Sequence, residues 1–217
     1  MLNSSPLLFI VSSPSGAGKT TLTGRLMNCV SSVVFSISHT TRRPRVSEED
    51  GREYHFISHD AFAALIERGE FLEWAEVHGN LYGTSAAEID RAIQTKARGV
   101  IFDVDHQGAR QIKSHRPDAV TVFILPPSMA VLHSRLAGRA SDDTATVARR
   151  FGVALNEIAH YGLFDYLLVN DNLDLSTQKL VSIFLAEECR RQRSAGLAER
   201  LLTDGRGYGG SRPPGST

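Results

Sequence analysis

Leu7-Leu8-Phe9-Ile10-Val11-Ser12-Ser13-Pro14-Ser15-Gly16-Ala17-Gly18-Lys19-Thr20 runs a continuous apolar segment straight into a loop of small residues and glycines. The segment Leu7 to Val11 has no polar alternation, which predicts a strand buried on both faces. Beyond the loop, Leu22, Leu26 and Val30 recur at four-residue spacing with Met27 and Cys29 beside them, the stripe of an amphipathic helix over Lys19 to Val30. A glycine-rich turn between a buried strand and a helix can wrap a polyphosphate. Its successive N–H groups and the positive helix end face the anion, Lys19 reaches the outer phosphates, and the Thr20 hydroxyl is placed to ligate magnesium. Gly16 and Gly18 permit close backbone approach. Ser13 stands where the strict phosphate-loop pattern has its first glycine, but the strand–loop–helix context is complete. A dinucleotide fingerprint is excluded because Thr21 occupies the place of its third glycine. The expected ligand is a nucleoside triphosphate.

Further buried-strand runs follow at Val100 to Asp105, Val120 to Leu125 and Tyr166 to Val169, with helical patterns at Ala86 to Ala97, Met129 to Leu136 and Val147 to His160. Strands alternating with helices predict an α/β fold whose parallel sheet is covered on both faces. The stretch Val33 to Gly83 is too long for a connection and is expected to form a subdomain of its own. From Thr203 onward the glycine-rich run has no periodicity and is expected to be disordered.

Composition narrows the function classes. With 217 residues, 41% hydrophobic and 22% charged, the chain is expected to be one globular domain rather than a disordered one. Lys+Arg 24 against Asp+Glu 24 gives no net attraction to nucleic acid or anionic lipid, so any anion site must be local. Cys29 and Cys189 match no zinc or disulfide spacing and are expected to be reduced thiols. The start carries neither a signal core nor a membrane span, so a cytoplasmic protein is expected.

A second phosphate site is readable in Ser38-His39-Thr40-Thr41-Arg42-Arg43-Pro44-Arg45, where guanidinium groups stand beside hydroxyls in a proline-stiffened segment. Tyr54 and Tyr82 can add neutral donors. Asp103 and Asp105, read as alternate residues of one strand end, form a magnesium-side pair. Arg135 and Arg139 lie one helical turn apart, with Arg149 and Arg150 beyond a polar loop, as in mobile arginine-bearing lids. His55 and His59 are set aside as a zinc pair because Ser58 and Asp60 read as helix caps. Trp74 is read as packing inside the inserted subdomain. Arg190, Arg191, Arg193 and Arg200 are read as an exposed helix face.

Taken together, these blocks resemble bacterial guanylate kinases. The resemblance spans about Leu7 to Arg200. It rests on residues 13–20, 38–45, Gly-Arg-Glu-Tyr-His-Phe at 51–56, Phe-Leu-Glu-Trp-Ala-Glu-Val-His-Gly-Asn-Leu-Tyr-Gly-Thr-Ser at 71–85, Asp-Val-Asp-His-Gln-Gly-Ala at 103–109, Leu-Pro-Pro-Ser at 125–128 and Val-Asn-Asp at 169–171. It implies a P-loop NTPase-type sheet with a core of 5–37, 98–134 and 151–203, a GMP-binding insert of 38–97, a lid of 135–150 and a tail of 204–217. It implies transfer of a phosphoryl group from MgATP to GMP, leaving dGMP and the oligomeric state open, with no nucleic acid or membrane partner. ATP would lie on Ser13, Pro14, Ser15, Gly16, Ala17, Gly18, Lys19, Thr20 and Thr21, with Arg135, Arg139 and Asn170. The GMP phosphate would lie on Arg42, Arg45, Tyr54 and Tyr82. The guanine would lie on Ser38, Glu73, Thr84 and Asp105 beside Gly83. The charge-neutralising set would be Lys19, Arg42, Arg135, Arg139 and Arg150, with magnesium held through water by Thr20 and Asp103. The chain departs from the pattern at Ala140 and Asn172, which puts lid kinetics in question. Two rival readings are another small-molecule kinase, such as one acting on a ribose phosphate, and a non-catalytic module that binds phosphoproteins. The first has little use for Glu73 and Asp105; the second typically loses the phosphate loop retained here.

Overall fold

The computed structural model describes residues 5–77, 79–138 and 144–209. The elements are, in chain order, β1 (Leu7–Ser12), α1 (Lys19–Cys29), β2 (Val33–Phe35), β3 (His39–Thr40), β4 (His55–Phe56), α2 (His59–Glu67), β5 (Phe71–Val77) and β6 (Asn80–Ser85). They continue with α3 (Ala87–Gln94), β7 (Gly99–Asp103), α4 (His106–His115), β8 (Val120–Leu125), α5 (Met129–Ala137), α6 (Thr144–Ala159), β9 (Tyr166–Val169), α7 (Leu173–Glu188) and α8 (Arg191–Gly209).

The α/β class expected from the alternation is the one observed. Five parallel strands form a sheet in the order β2-β7-β1-β8-β9. β1 is central because it is apolar on both faces. Leu7, Phe9 and Val11 pack with Leu22, Leu26, Leu180 and Phe184 of α1 and α7, while Leu8 and Ile10 pack with Ile89, Ala92, Ala109 and Ile112 of α3 and α4. Each such side chain, once fully buried, contributes about 1.5–3 kcal/mol before entropy is counted. Because the strands are parallel, their carboxyl ends share one edge. That edge carries the loop after β1, Asp103 at the end of β7 and Asn170 after β9, and ligands of open parallel sheets sit there.

A second sheet, β4-β3-β6-β5, stands beside this edge. Its β5–β6 pair is antiparallel, and a bulge makes the register jump from Phe71↔Ser85 to Glu73↔Thr84. A bulge breaks the alternation of side chains, so Leu72 and Glu73 are both buried, at 7% exposure each. Segment 38–97 therefore divides. Residues 39–85 carry the second sheet and α2, whereas Ile89, Ala92 and Ala97 belong to the core beneath the parallel sheet. α5 and α6 pack on each other through Leu132, Leu136, Val147 and Ala154.

Three expectations need correction. Asp105 is not a strand residue: β7 ends at Asp103, and Asp105 caps α4, accepting from the N–H groups of Gln107 and Gly108 at 2.9 and 3.0 Å. Trp74, displaced outward by the bulge, is 41% exposed rather than packed. The tail is helical through Gly209 as the end of α8, because extending an existing helix adds one bond per residue fixed and does not require a buried stripe. Residues 210–217 lie outside the described residues.

Candidate active site

The loop after β1 is shaped by its glycines. Gly16 and Gly18 have φ of 90° and 96°, the left-handed region that side chains rarely adopt. Gly18 is the N-cap of α1, which leaves the first N–H groups of the helix without intrahelical partners and able to hold an anion. A Cβ on Gly18 would fall on the side-chain nitrogen of Asn170. That nitrogen donates to the Ala17 carbonyl at 2.8 Å, and Arg135 donates to the carbonyls of Ala17 and Asn170 at 3.5 and 3.4 Å. Asn170 and Arg135 thus brace the loop from behind. Ser13, Pro14, Ser15, Gly16, Gly18, Lys19, Thr20 and Thr21 line a cleft of about 500 Å³ with Arg135 and Glu157. Next to it a cavity of about 220 Å³ runs between Thr21, Asn170 and Leu173.

Charge converges on this cleft from three elements. Lys19 forms an ion pair with Asp103 at the end of β7. Arg150 of α6 donates to the Ser15 hydroxyl at 2.7 Å. Glu157, two turns further along α6, lies against the Ser15 N–H; burial pushes its carboxyl above the ordinary range, while that N–H and then Lys19 pull it down. Its Oε2 is buried with no hydrogen-bond partner among the described residues. At the end of the same helix, His160 stacks on His106 of α4, ring centroids 3.9 Å apart and planes 15° apart. α6 and the residue that follows it therefore touch both the phosphate loop and the first residue of α4, next to its cap Asp105. Arg139 and Ala140 lie outside the described residues.

The second sheet carries another guanidinium cradle. The Arg42 Nε donates to the Tyr82 hydroxyl at 3.2 Å, and its guanidinium carbon lies 5.5 Å from the Tyr54 ring centroid and 5.7 Å from that of Phe56. Tyr54 and Tyr82 meet edge to face. Burial, then the neighbouring Tyr82 and the Asp103 charge, raise the Tyr54 phenol, so it stays a neutral donor. Arg42 is paired end-on with Glu48, Nη1 to Oε2 at 2.9 Å and Nη2 to Oε1 at 3.0 Å. Arg45 gives its backbone N–H to the same carboxylate at 2.8 Å.

Beyond this cradle a hydroxyl relay ends on a buried acid. Thr84 donates to Glu73 at 2.6 Å, and its oxygen lies 3.1 Å from that of Ser38. The single Thr84 proton is committed to Glu73, so Ser38 is the donor to Thr84. Burial lifts the Glu73 carboxyl to about 7, the Thr84 hydroxyl pulls against it, and the Asp105 charge adds to the rise. Gly83 lies over Phe62 and Phe71, either of which a Cβ would meet at 3.0 Å. This pocket offers acceptor atoms to a ligand edge rich in N–H donors.

The structure thus gathers Lys19, Asp103, Arg135 and Arg150 around the loop, and Arg42, Tyr54, Tyr82, Glu73, Thr84 and Ser38 along the second sheet. Asn172, the departure after Val-Asn-Asp, is the N-cap of α7, accepting from the Asp174 and Leu175 N–H groups at 3.1 and 3.0 Å. Ser58 caps α2, and the His55 ring packs at a tilt against that of His39, centroids 4.8 Å apart. Sequence reasoning missed Glu48 and Glu157. The switch from Arg42-Arg43-Pro44-Arg45 to Glu48-Glu49-Asp50 was the available signal that these arginines have a built-in partner. Nothing local marks Glu157.

Comparison with known proteins gives a consistent set of similarities. A family model described as guanylate kinase matches residues 5–187. The chain is 46% identical over 197 residues to a guanylate kinase of Alkalilimnicola ehrlichii, covering 91% of this chain and 97% of the relative. It is 47% identical over 199 residues to one of Dechloromonas aromatica, covering 90% and 98%. Among solved structures, a guanylate kinase from Anaplasma phagocytophilum superposes with a TM-score of 0.72 at 30% identity, covering 93% of this chain and 96% of that one.

Proposed function

The chain belongs to the guanylate kinase family, and on that premise we infer that it transfers the γ-phosphoryl group of ATP to GMP, giving ADP and GDP. The observation that carries this reading is a pair of neighbouring anion cradles, the loop 13–20 and the Arg42–Tyr82 cluster, with a buried carboxyl beyond the second. ATP lies with its phosphates in the loop, and GMP places its phosphate on Arg42, Arg45, Tyr54 and Tyr82. The guanine N1–H and amine meet the acceptors Glu73 and Asp105, beside Ser38 and Thr84.

Transfer is direct and in line. The chain holds two polyanions end to end and neutralises charge on the moving group, which is most of what phosphoryl transfer asks of a protein. Lys19 serves the transferring phosphoryl, while Arg135 and Arg150, with Arg139, close from the lid side and exclude water. The oxygen donors Thr20 and Asp103 fit a hard cation, and the buried, unpartnered Oε2 of Glu157 is a further oxygen at the cleft. Among the described residues no group of three His, Cys, Asp or Glu is placed to hold a metal. Magnesium, when bound, offsets the triphosphate charge. The retained loop supports an enzyme over a phosphoprotein-binding module. No helix among the described residues is long and apolar enough to cross a membrane.

Measuring ADP release with GMP, AMP, CMP, UMP and ribose phosphates as acceptors tests the function. GMP is expected to be preferred, and equal rates with AMP would remove the base assignment.

A pH dependence follows from Glu73. In the free protein its pKa is raised from 4.5 to about 7, so the associated stability is complete below 4.5 and is lost as pH climbs through about 7. Guanine donors favour the ionised form, so GMP affinity is expected to rise with pH up to about 7 and then level off. Calorimetry in buffers of different ionisation enthalpy should detect proton release on GMP binding near pH 6 and none near pH 8.5; an identical proton balance at both would refute the assignment.

A further inference from the structure

Arg42 presents two usable edges, and the fold commits one of them. On the Nη1–Nη2 edge Glu48 accepts from both nitrogens, at 2.9 and 3.0 Å, and the second Nη1 hydrogen goes to the Arg43 carbonyl at 2.8 Å. On the other edge Nε donates to the Tyr82 hydroxyl, itself assigned above to the substrate phosphate. Bidentate recognition of a phosphate needs one complete edge of the guanidinium. The edge left for it is the one beside Tyr82, flanked by the rings of Tyr54 and Phe56.

Glu48 also reaches the neighbouring arginine. Its Oε2 accepts the Arg45 backbone N–H, and the Glu48 N–H donates to the Arg45 carbonyl at 3.0 Å, closing the turn that carries the Arg45 side chain. The Glu48 side chain is only 12% exposed. Arg42 and then the Arg45 N–H hold its carboxyl below the usual range, so it is charged at neutral pH. A single carboxylate therefore ties together the guanidinium of one phosphate ligand and the backbone of the other.

We propose that Glu48 is the positioning residue of the acceptor-phosphate cradle, clamping the far edge of Arg42 and the Arg45 turn so that the Nε–Nη2 edge of Arg42 faces the phosphate of GMP. This rests on the acceptor assignment made above. Glu48 touches neither substrate; it acts through Arg42 and Arg45. Gln in its place turns an N–H₂ group toward the Arg42 donors, releasing the guanidinium to other rotamers.

The test uses the full chain in four forms: wild type, Glu48→Gln, Arg42→Ala and the double variant. Each is measured for Kd of GMP by calorimetry, KM for both substrates, kcat and thermal midpoint. Glu48→Gln is expected to raise Kd and KM for GMP about tenfold, as loss of one charge-assisted clamp implies, with KM for ATP unchanged. In the Arg42→Ala background the same change is expected to have a smaller effect, the part that acts through the Arg45 turn, because coupled residues are not additive. Glu48→Asp, which keeps the charge, is expected to recover part of the loss, and it decides the question should Glu48→Gln fail to fold. Tighter GMP binding by Glu48→Gln would make the carboxylate a competitor of the phosphate and overturn the proposal. An undiminished effect in the Arg42→Ala background, or an equal rise in KM for ATP, would overturn it as well. No heat from GMP with the wild type would instead bring down the acceptor assignment itself.

Discussion

Lys19→Ala is expected to lower kcat about a thousandfold, the order seen when one preorganised charge partner of a transition state is removed, with KM for GMP nearly unchanged. Lys19 opens α1 directly after the two left-handed glycines and is paired with Asp103. Without the ammonium, the Asp103 carboxylate faces the moving phosphoryl uncompensated, and Glu157 loses the cation that partly offsets its own charge. The loss is therefore double: one attraction is removed and two repulsions are uncovered. Alanine is a strong helix former, so the fold should persist and the thermal midpoint should stay within about 3 °C. Single-turnover measurements alongside a melting curve separate chemistry from stability. Turnover close to wild type would refute the role given to Lys19.

Glu73→Gln is expected to cut kcat/KM for GMP about a hundredfold, from the loss of a charged acceptor and the burial of an unmatched donor at roughly 1–3 kcal/mol each. The side chain is 7% exposed, and Thr84 already supplies a hydroxyl proton to its Oε1. With a carboxylate the site offers guanine only acceptors. An amide turns one of those positions into an N–H₂, which opposes the guanine amine and suits the bare ring nitrogen of adenine. The ratio of GMP to AMP use should therefore narrow while KM for ATP holds. Competition assays against both monophosphates check this, and an equal loss for ATP and GMP would show that Glu73 supports the fold and not the base.

The donor half of the site was legible because it is local. A buried strand, a glycine loop and a helix stripe lie within residues 7–30, although the loop is braced from outside that stretch by Asn170 and Arg135. The acceptor half was legible only as residue types. Arginines beside hydroxyls announce an anion site, yet the end-on pairing of Arg42 with Glu48 is a property of the turn through 45–48, which periodicity does not encode. The bulge at Phe71/Glu73 shows the same limit. Strict alternation cannot bury Leu72 and Glu73 together, and Trp74, read as packing, faces out. Phe-Asp-Val-Asp at 102–105 hides the end of β7 for a related reason, since apolar alternation continues through Val104 although the ladder has stopped. Glu157 was invisible because it reaches the loop across more than a hundred residues of sequence.

Position 18 shows how a fold can close a site to evolutionary drift. Any other residue there has to take up a left-handed backbone and also evict the amide that steadies Ala17, and relief of one penalty leaves the other in place. A compensating change at Asn170 would free the space at the expense of the brace. Within this loop only glycine meets both demands at that point.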